Sequence, residues 1–343
     1  MSRSPPPPAG APRAHASSTA VARLAGVSQS TVSRVFSAGA AVSADVRERV
    51  LKAAAELHYK PNALPAILQT GRSGIVAVVV GGFYNPFFTE FLRCVTSLLR
   101  ERRIETMLVD TSSDDNLDDI VGELSRYRID GVISALAIRS TRVARKLEGA
   151  GIPIVAVNSK KFGNLRTVST DNRSAGALAA DLLIDGGCRT LAYLAGREST
   201  AQTERQRGFL KRINDRQVAP PQHVVAGFSY EEGYAAALEL LSSGSRPDGI
   251  FCVNDLVAIG ALDAIRIEFG LSVPGDIQVV GFDDIPMAGW RGPDLTTFHQ
   301  DMDALALGSV TLLAEAAPSR PIVIPPRLVL RGTTRPRDVA VTP

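Results

Sequence analysis

From Gly74 onward, short apolar runs alternate with amphipathic stretches, and this alternation restricts the fold more than any other feature of the chain. IVAVVV at 75–80, ETMLVD at 105–110, GVISAL at 131–136 and PIVAVN at 153–158 read as strands. The texture returns with TLAYLAG at 190–196, a short run at 223–226, GIFCVN at 249–254 and IQVVGFDD at 277–284. Between them, 86–101, 117–127, 141–149, 173–185, 205–213, 230–242 and 256–269 carry helical periodicity. Such a β–α repeat demands parallel sheets covered by helices on both faces. It runs on too long for one sheet. A division near Asp171, with a second set of strands from Thr190, gives two similar α/β lobes.

Ahead of the repeat the pattern is helical throughout. TAVARLAGVSQSTVSRVFS at 19–37 reads as two short helices around a tight turn. Val21, Ala22, Leu24 and Ala25 form an apolar face, Gly26 supplies the positive φ of the corner, and Val27 plugs it. Ser28 is placed to cap the second helix, where Val32 and Val35 point inward. Gln29, Ser30, Thr31, Ser33 and Arg34 are left outside. Gln and Arg read base edges bidentately and hydroxyls reach phosphates, so this face suits a DNA major groove. It would serve equally as an ordinary polar helix face.

A third helix at 43–59, capped by Ser43, has Val46, Val50, Ala53, Ala54 and Leu57 as its inner stripe. Arg47, Arg49 and Lys52 lie outside it. Asn62 then caps a short segment containing Leu64, Ile67 and Leu68, which is too short to be a stable helix alone. Two readings are open. The segment folds against a second copy or against DNA, with a leucine wedged into a minor groove, or it is a linker packed on the next domain.

Charge follows the same division. Residues 1–73 hold nine Arg/Lys against three Asp/Glu, while the remainder is net acidic although the whole chain is +3. The basic excess therefore sits on the helical unit, where counterion release from a polyanion needs it. The first 16 residues are rich in Pro and Ala, predict a disordered tail, and contain no apolar core of a signal peptide. No apolar run reaches membrane-spanning length, so a cytoplasmic protein is expected. Three dispersed cysteines exclude a disulfide framework or zinc finger. The four histidines have no metal-ligand spacing, and no metal or cofactor is expected.

In open α/β sheets a ligand sits beyond the carboxyl ends of the strands. The residues there are Phe83, Tyr84, Asn85 and Phe87; Ser159 and Lys160; Asp171 and Asn172; Arg205; Phe228; Asn254 and Asp255; Asp283, Asp284 and Trp290. Carboxylates and amides bind hydroxyls and an aromatic covers a sugar ring, so this set suits a polyhydroxylated ligand. Each has a plainer reading too. Phe83 and Phe87 could be core. Asp283 and Asp284 could serve a metal or acid–base chemistry, but neighbours on a strand face opposite ways. Arg205, read as opening a helix against its dipole, calls for a specific partner, ligand or salt bridge.

These residues together resemble the LacI/GalR family of transcriptional repressors, from about Ser17 to Arg335. AVARLAGVSQSTVSRV is similar to the family's headpiece, PNALPAILQTGRS to its linker, and NPFF at 85–88 follows in family order. So do RYRIDGVI (126–133), STDN (169–172), Arg205 to Phe209, VND (253–255), VVGFDD (279–284) and LTTFHQD (295–301).

The resemblance implies a helix–turn–helix headpiece at 17–61 and a hinge at 62–73, followed by a two-lobed core like a periplasmic binding protein. The N-terminal lobe would span 74–172 plus about 302–322, and the C-terminal lobe 173–297 plus about 325–336, with crossovers near 297–302 and 321–326. It implies base reading by Gln29, Ser30 and Arg34, phosphate contacts by Ser28, Thr31, Ser33 and Ser37, and a minor-groove wedge at Leu68. It further implies an effector pocket at Phe87, Asp171, Arg205, Phe228, Asn254, Asp283 and Trp290. The partners would be operator DNA, a sugar-like effector and a second copy in a homodimer. A dimer of dimers is not expected, because no leucine-heptad tail follows RDVAVTP.

Three departures stand out. Ala20 replaces a usual Asp, so one cap or phosphate contact is expected to be missing; Ser18 replaces an apolar anchor; and Pro65 falls inside the hinge. Two rival functions fare worse. A transporter's solute-binding protein would need a secretory signal in place of the basic headpiece. An enzyme at Asp283 and Asp284 lacks a nucleophile–base pair, a phosphate loop or a metal set.

Overall fold

The computed structural model describes residues 17–36, 41–60, 71–81, 83–111, 124–136, 142, 145–146, 149–160, 163, 165–197, 199–244, 246–315 and 320–335. It divides into two compact units, Met1–Ser73 and Gly74–Pro343. The tail at 1–16, Ser37, the hinge segment with Asn62, Pro65 and Leu68, Lys161, and most of the helices expected at 117–127 and 141–149 lie outside the described residues.

Among its described residues the first unit has three helices, α1 (Ser18–Ala25), α2 (Gln29–Phe36) and α3 (Ala44–Glu56). Val21, Val32 and Val50, one from each, are fully buried at its centre, and Phe36 meets Tyr59 edge-on at 5.8 Å. Gly26 ends α1 in the left-handed region at φ 64, as the corner requires. Leu24 departs from the expected apolar face and is 48% exposed, because three helices this short cover only a narrow stripe. The missing cap at Ala20 is supplied one turn earlier, where the Ser17 hydroxyl accepts from the Ala20 N–H. Ser43 sits at the N-cap of α3 but makes no side-chain cap bond. Two arginines expected to lie free outside α3 instead donate to C-terminal carbonyls: Arg47 to Val35 at 3.2 Å and Arg49 to Ala25 at 3.1 Å. Cations at helix C-termini satisfy orphan acceptors and the dipole together.

The second unit holds two parallel sheets. The first has six strands, β1 (Ile75–Val80), β2 (Glu105–Asp110), β3 (Gly131–Ser134), β4 (Ile154–Val157), β5 (Arg166–Thr170) and β11 (Ile322–Ile324), in the order β11-β5-β4-β3-β1-β2. The second has β6 (Leu191–Ala195), β7 (Gln222–Val225), β8 (Gly249–Cys252) and β9 (Gln278–Val280), in the order β7-β6-β8-β9. β10 (Thr297–His299) and β12 (Arg327–Val329) form an antiparallel ribbon, and isolated bridges join Val280 at the end of β9 to Thr296 and Asp283 to His299 of β10. The chain thus passes between the sheets three times, after β5, after β10 and after β11.

Among the described residues, six helices serve these sheets: α4 (Pro86–Glu101), α5 (Asn172–Asp185), α6 (Thr200–Asp215), α7 (Tyr230–Ser242), α8 (Asp255–Asp263) and α9 (Met302–Ala314). α8 continues as a π-helical turn, Ala264–Glu268. α6 begins five residues earlier than its apolar pattern suggests, capped by Ser199, so Arg205 lies in its second turn and does not open it. Arg205 is therefore clear of the N-terminal end of the α6 dipole.

α5 and α6 cross with their backbones in contact. A methyl group at Gly176 would run into the Arg205 carbonyl, and one at Gly208 into the Arg173 carbonyl. This reciprocal glycine contact seats the part of α6 that carries Arg205. Gly176→Ala should force the helices apart at a cost of about 1–3 kcal/mol. A melting curve of the full chain checks this, and an unchanged melting temperature would contradict the crossing geometry.

Candidate functional site

In the first unit, Val32 and Val35 anchor α2 and leave Gln29, Ser30, Ser33 and Arg34 exposed on one face, with Thr31 half-buried. The Ser28 hydroxyl lies 2.8 Å from the hydroxyls of both Ser30 and Thr31 and accepts from the Thr31 N–H at 3.2 Å, in the expected cap position. The Gln29 carboxamide donates to the Ser18 hydroxyl at 2.8 Å. Ser18 is thus no mere loss of an anchor, since it ties α1 to the first residue of α2.

In the second unit, opposite charges are buried where the sheets' carboxyl ends meet. Arg205 is 5% exposed. Its Nε and Nη2 donate to Asn172 Oδ1 at 3.1 and 2.9 Å, its Nη1 donates to the Val253 carbonyl, and its guanidinium lies 3.4 Å over the Phe282 ring. Burial lowers its pKa, and the charge of Asp283 opposes that shift. Asp283 is 8% exposed, with φ at 120°, and accepts from Gln300 Nε2 at 2.7 Å. The Asn85 side chain is a further partner. Burial raises the Asp283 pKa to about 6, held back by Arg205. Gln300 completes the link, because its Oε1 accepts from Thr170 Oγ1 at 2.7 Å and from Asn158 Nδ2 at 3.3 Å, both on the first sheet's side.

Three carboxylates hold the crossover strand. Asp283 takes Gln300, Asp284 pairs with His299 Nδ1 at 3.0 Å, and Asp255 accepts from Thr297 Oγ1 at 2.5 Å. Asp284 also accepts from Arg331 at 2.7 Å. Asp283 and Asp284 face different partners, but β9 ends at Val280 and both have positive φ, so a turn of the backbone and not strand alternation separates them. Asp255 is wholly buried, and burial together with the nearby Asp283 raises its pKa to about 7.

The remaining expected pocket residues divide. Phe87 is core, 7% exposed and packed edge-on against Phe88, while Phe83 is exposed. Asn254 caps α8 through the Val257 N–H and donates to the Phe228 carbonyl, so both ends of its amide are engaged. Asp171 caps α5, with both oxygens on Ser174. Phe228 is half-buried against the second sheet's core. Trp290 is 62% exposed, and no hydrogen bond joins it to Arg205 or Asp283. A crevice of about 580 Å³ opens beside this network, and of the seven expected residues only Asp171 lines it. Gln300 and Asn158 were not among the residues expected at the strand ends, whereas Asn172 and Asp255 were, though not as members of the effector pocket. For Gln300 and Asp255 the signal lay inside LTTFHQD and VND.

Two family models match the chain: bacterial regulatory proteins of the lacI family over residues 19–62, and a periplasmic binding protein-like domain over 180–334. The ribose operon repressor of Halalkalibacterium halodurans is 31% identical over 322 residues, covering 92% of this chain and 96% of that protein. The transcriptional repressor PurR of Pasteurella multocida is 31% identical over 331 residues, covering 92% and 98%. The chain belongs to the LacI family.

Among solved LacI-family structures, the lac repressor dimer bound to operator and the anti-inducer ONPF aligns with a TM-score of 0.83 at 28% identity, covering 91% of this chain and 97% of that one. A LacI-family regulator from Enterococcus faecium with bound ribose aligns at 0.69 and 28%, covering 76% and 99%. Among the described residues, no helix is long and apolar enough to cross a membrane.

The buried carboxylates set a pH dependence. The unfolded chain releases the Asp255 proton near pH 4, whereas the folded chain keeps it up to about 7. Between those values the folded state binds more protons, so its stability falls as pH rises through about 7. Asp283 adds a smaller effect of the same sign. The melting temperature should fall from pH 5 to pH 8, and Asp255→Asn should flatten part of that fall. Parallel melts of both proteins check it.

Proposed function

We propose that this LacI-family chain is a sequence-specific transcriptional repressor, not an enzyme. It acts in the cytoplasm as a homodimer on a pseudo-palindromic operator, under the control of a small sugar-like effector. The observation that carries the DNA-binding part is the exposed face of α2, with Gln29, Ser30 and Arg34 outward on a helix fixed by Val32 and Val35. The net positive charge of residues 1–73 supplies the sequence-independent attraction.

In this reading two copies of α2 enter successive major grooves. Gln29, Ser30 and Arg34 read bases; Ser28, Thr31, Ser33 and Ser37 contact phosphates; and Leu68 wedges the minor groove. Gln29 meets the groove already oriented by Ser18. The effector lies between the two lobes, 74–172 with about 302–322 and 173–297 with about 325–336, in reach of Arg205 and Asp283. Asp171 lines the crevice, while Phe87 lies in the core, Phe228 packs on the second sheet's core, Asn254 caps α8 and Trp290 stands at the surface. The effector alters DNA affinity only to the extent that it binds the two lobe arrangements differently.

Selection of bound duplexes from a random-sequence pool, followed by gel shifts, tests this directly. The wild-type chain should enrich a two-fold symmetric motif. Arg34→Ala should cost about 1–3 kcal/mol on that motif and relax preference at one position in each half-site. Equal weakening on motif and random DNA would overturn the base-reading role of Arg34, and no enriched motif would overturn the function.

A further inference from the structure

The crevice beside the buried network has a chemistry of its own. Its volume of about 580 Å³ suits a small metabolite. It lies between the ends of β4 and β5 and the first two turns of α6. Its charged residues are Lys160, Arg173 and Arg207 against Asp171 and Glu204. Asp171 is engaged through both oxygens by Ser174 but keeps its charge, so the balance rests on three cations against two carboxylates. Glu204 is shared by two guanidiniums, 2.6 Å from Arg207 Nη1 and 3.7 Å from Arg173 Nε. A single carboxylate cannot use the donors of two guanidinium forks, so N–H groups remain for another acceptor. Ser159, Ser169, Thr200 and Thr203 add hydroxyls. No aromatic ring is among the lining residues described.

We propose that this crevice binds the acidic end of the effector. The ligand is then an anionic polyol, bearing a carboxylate or a phosphate ester, and not a neutral sugar. This rests on the reading of the chain as an effector-controlled regulator. It also names how occupancy is felt. Asn172 lines the crevice and holds Arg205, and Thr170 lines it and holds Gln300, the partner of Asp283. An anion in the crevice draws on the same side chains that balance the buried pair.

The test is a thermal-shift screen of the full chain against neutral aldoses, their aldonic and uronic acids, and their phosphate esters. A hit should come from an acid or a phosphate ester, and comparing those two arms identifies the anionic group. Its protection should weaken with added salt. Arg207→Gln and Lys160→Met should each raise its Kd roughly ten- to hundredfold. Both substitutions leave the core untouched, and circular dichroism of the variants verifies folding. Protection by neutral sugars alone, no hit among the ionic compounds, or an ionic hit unaffected by both substitutions would each overturn the proposal. A neutral sugar that releases the protein from DNA would do so while leaving the regulatory function standing. An acid that binds through Arg207 without changing DNA affinity would keep the site and remove its role as effector site.

Discussion

Burying Arg205 and Asp283 together is the constraint around which the second unit is arranged. An isolated charge in such a place is prohibitively costly, and each survives only because it is surrounded by partners. Arg205 has the Asn172 carboxamide, the Val253 carbonyl and the Phe282 ring. Asp283 has Gln300 and Asn85. These partners come from both sheets and from the crossover between them. Satisfying the charges therefore ties together the elements whose relative arrangement a ligand would change. A ligand that competes for any of these side chains changes the balance of the whole set, which is the physical content of a ligand-sensitive junction.

The first unit solves a different problem, how to hold a reading helix with almost no core. It relies on ends more than interiors. Ser17 caps α1, Gly26 turns it, Ser28 serves α2, and Arg47 and Arg49 close the carbonyl ends of α2 and α1. Arg49 is also paired with Asp45. Basic side chains that a charge count assigns to DNA attraction thus also hold the three helices together.

Much of this was legible in the residues. The strands at 75–80 and 105–110 and the helices at 86–101 and 230–242 match their apolar periods, because their burial is one-sided or complete and local. β5, β10, β11 and β12 went unread. They are short, β5 and β10 are polar in part, and each exists only by pairing with a distant segment. The start of α6 was missed because its first turn carries Thr, Ala and Gln where an apolar stripe would show. Arg205 and Asp283 were singled out, but their roles depend on Asn172 and Gln300, which contact order places beyond local pattern. Asn254 and Asp171 precede helices, and a side-chain oxygen just ahead of a helix is a cap signal before it is a pocket signal.

The central claim is that occupancy at the lobe junction and DNA binding by the helical unit are one coupled equilibrium. Linkage makes that claim reciprocal: the factor by which effector changes operator affinity must equal the factor by which operator changes effector affinity. The direct measurement is calorimetric titration of effector into the full chain, alone and saturated with its selected operator duplex. The account predicts an effector Kd that differs between the two by the same factor that effector imposes on DNA binding. An identical Kd in both titrations would contradict it.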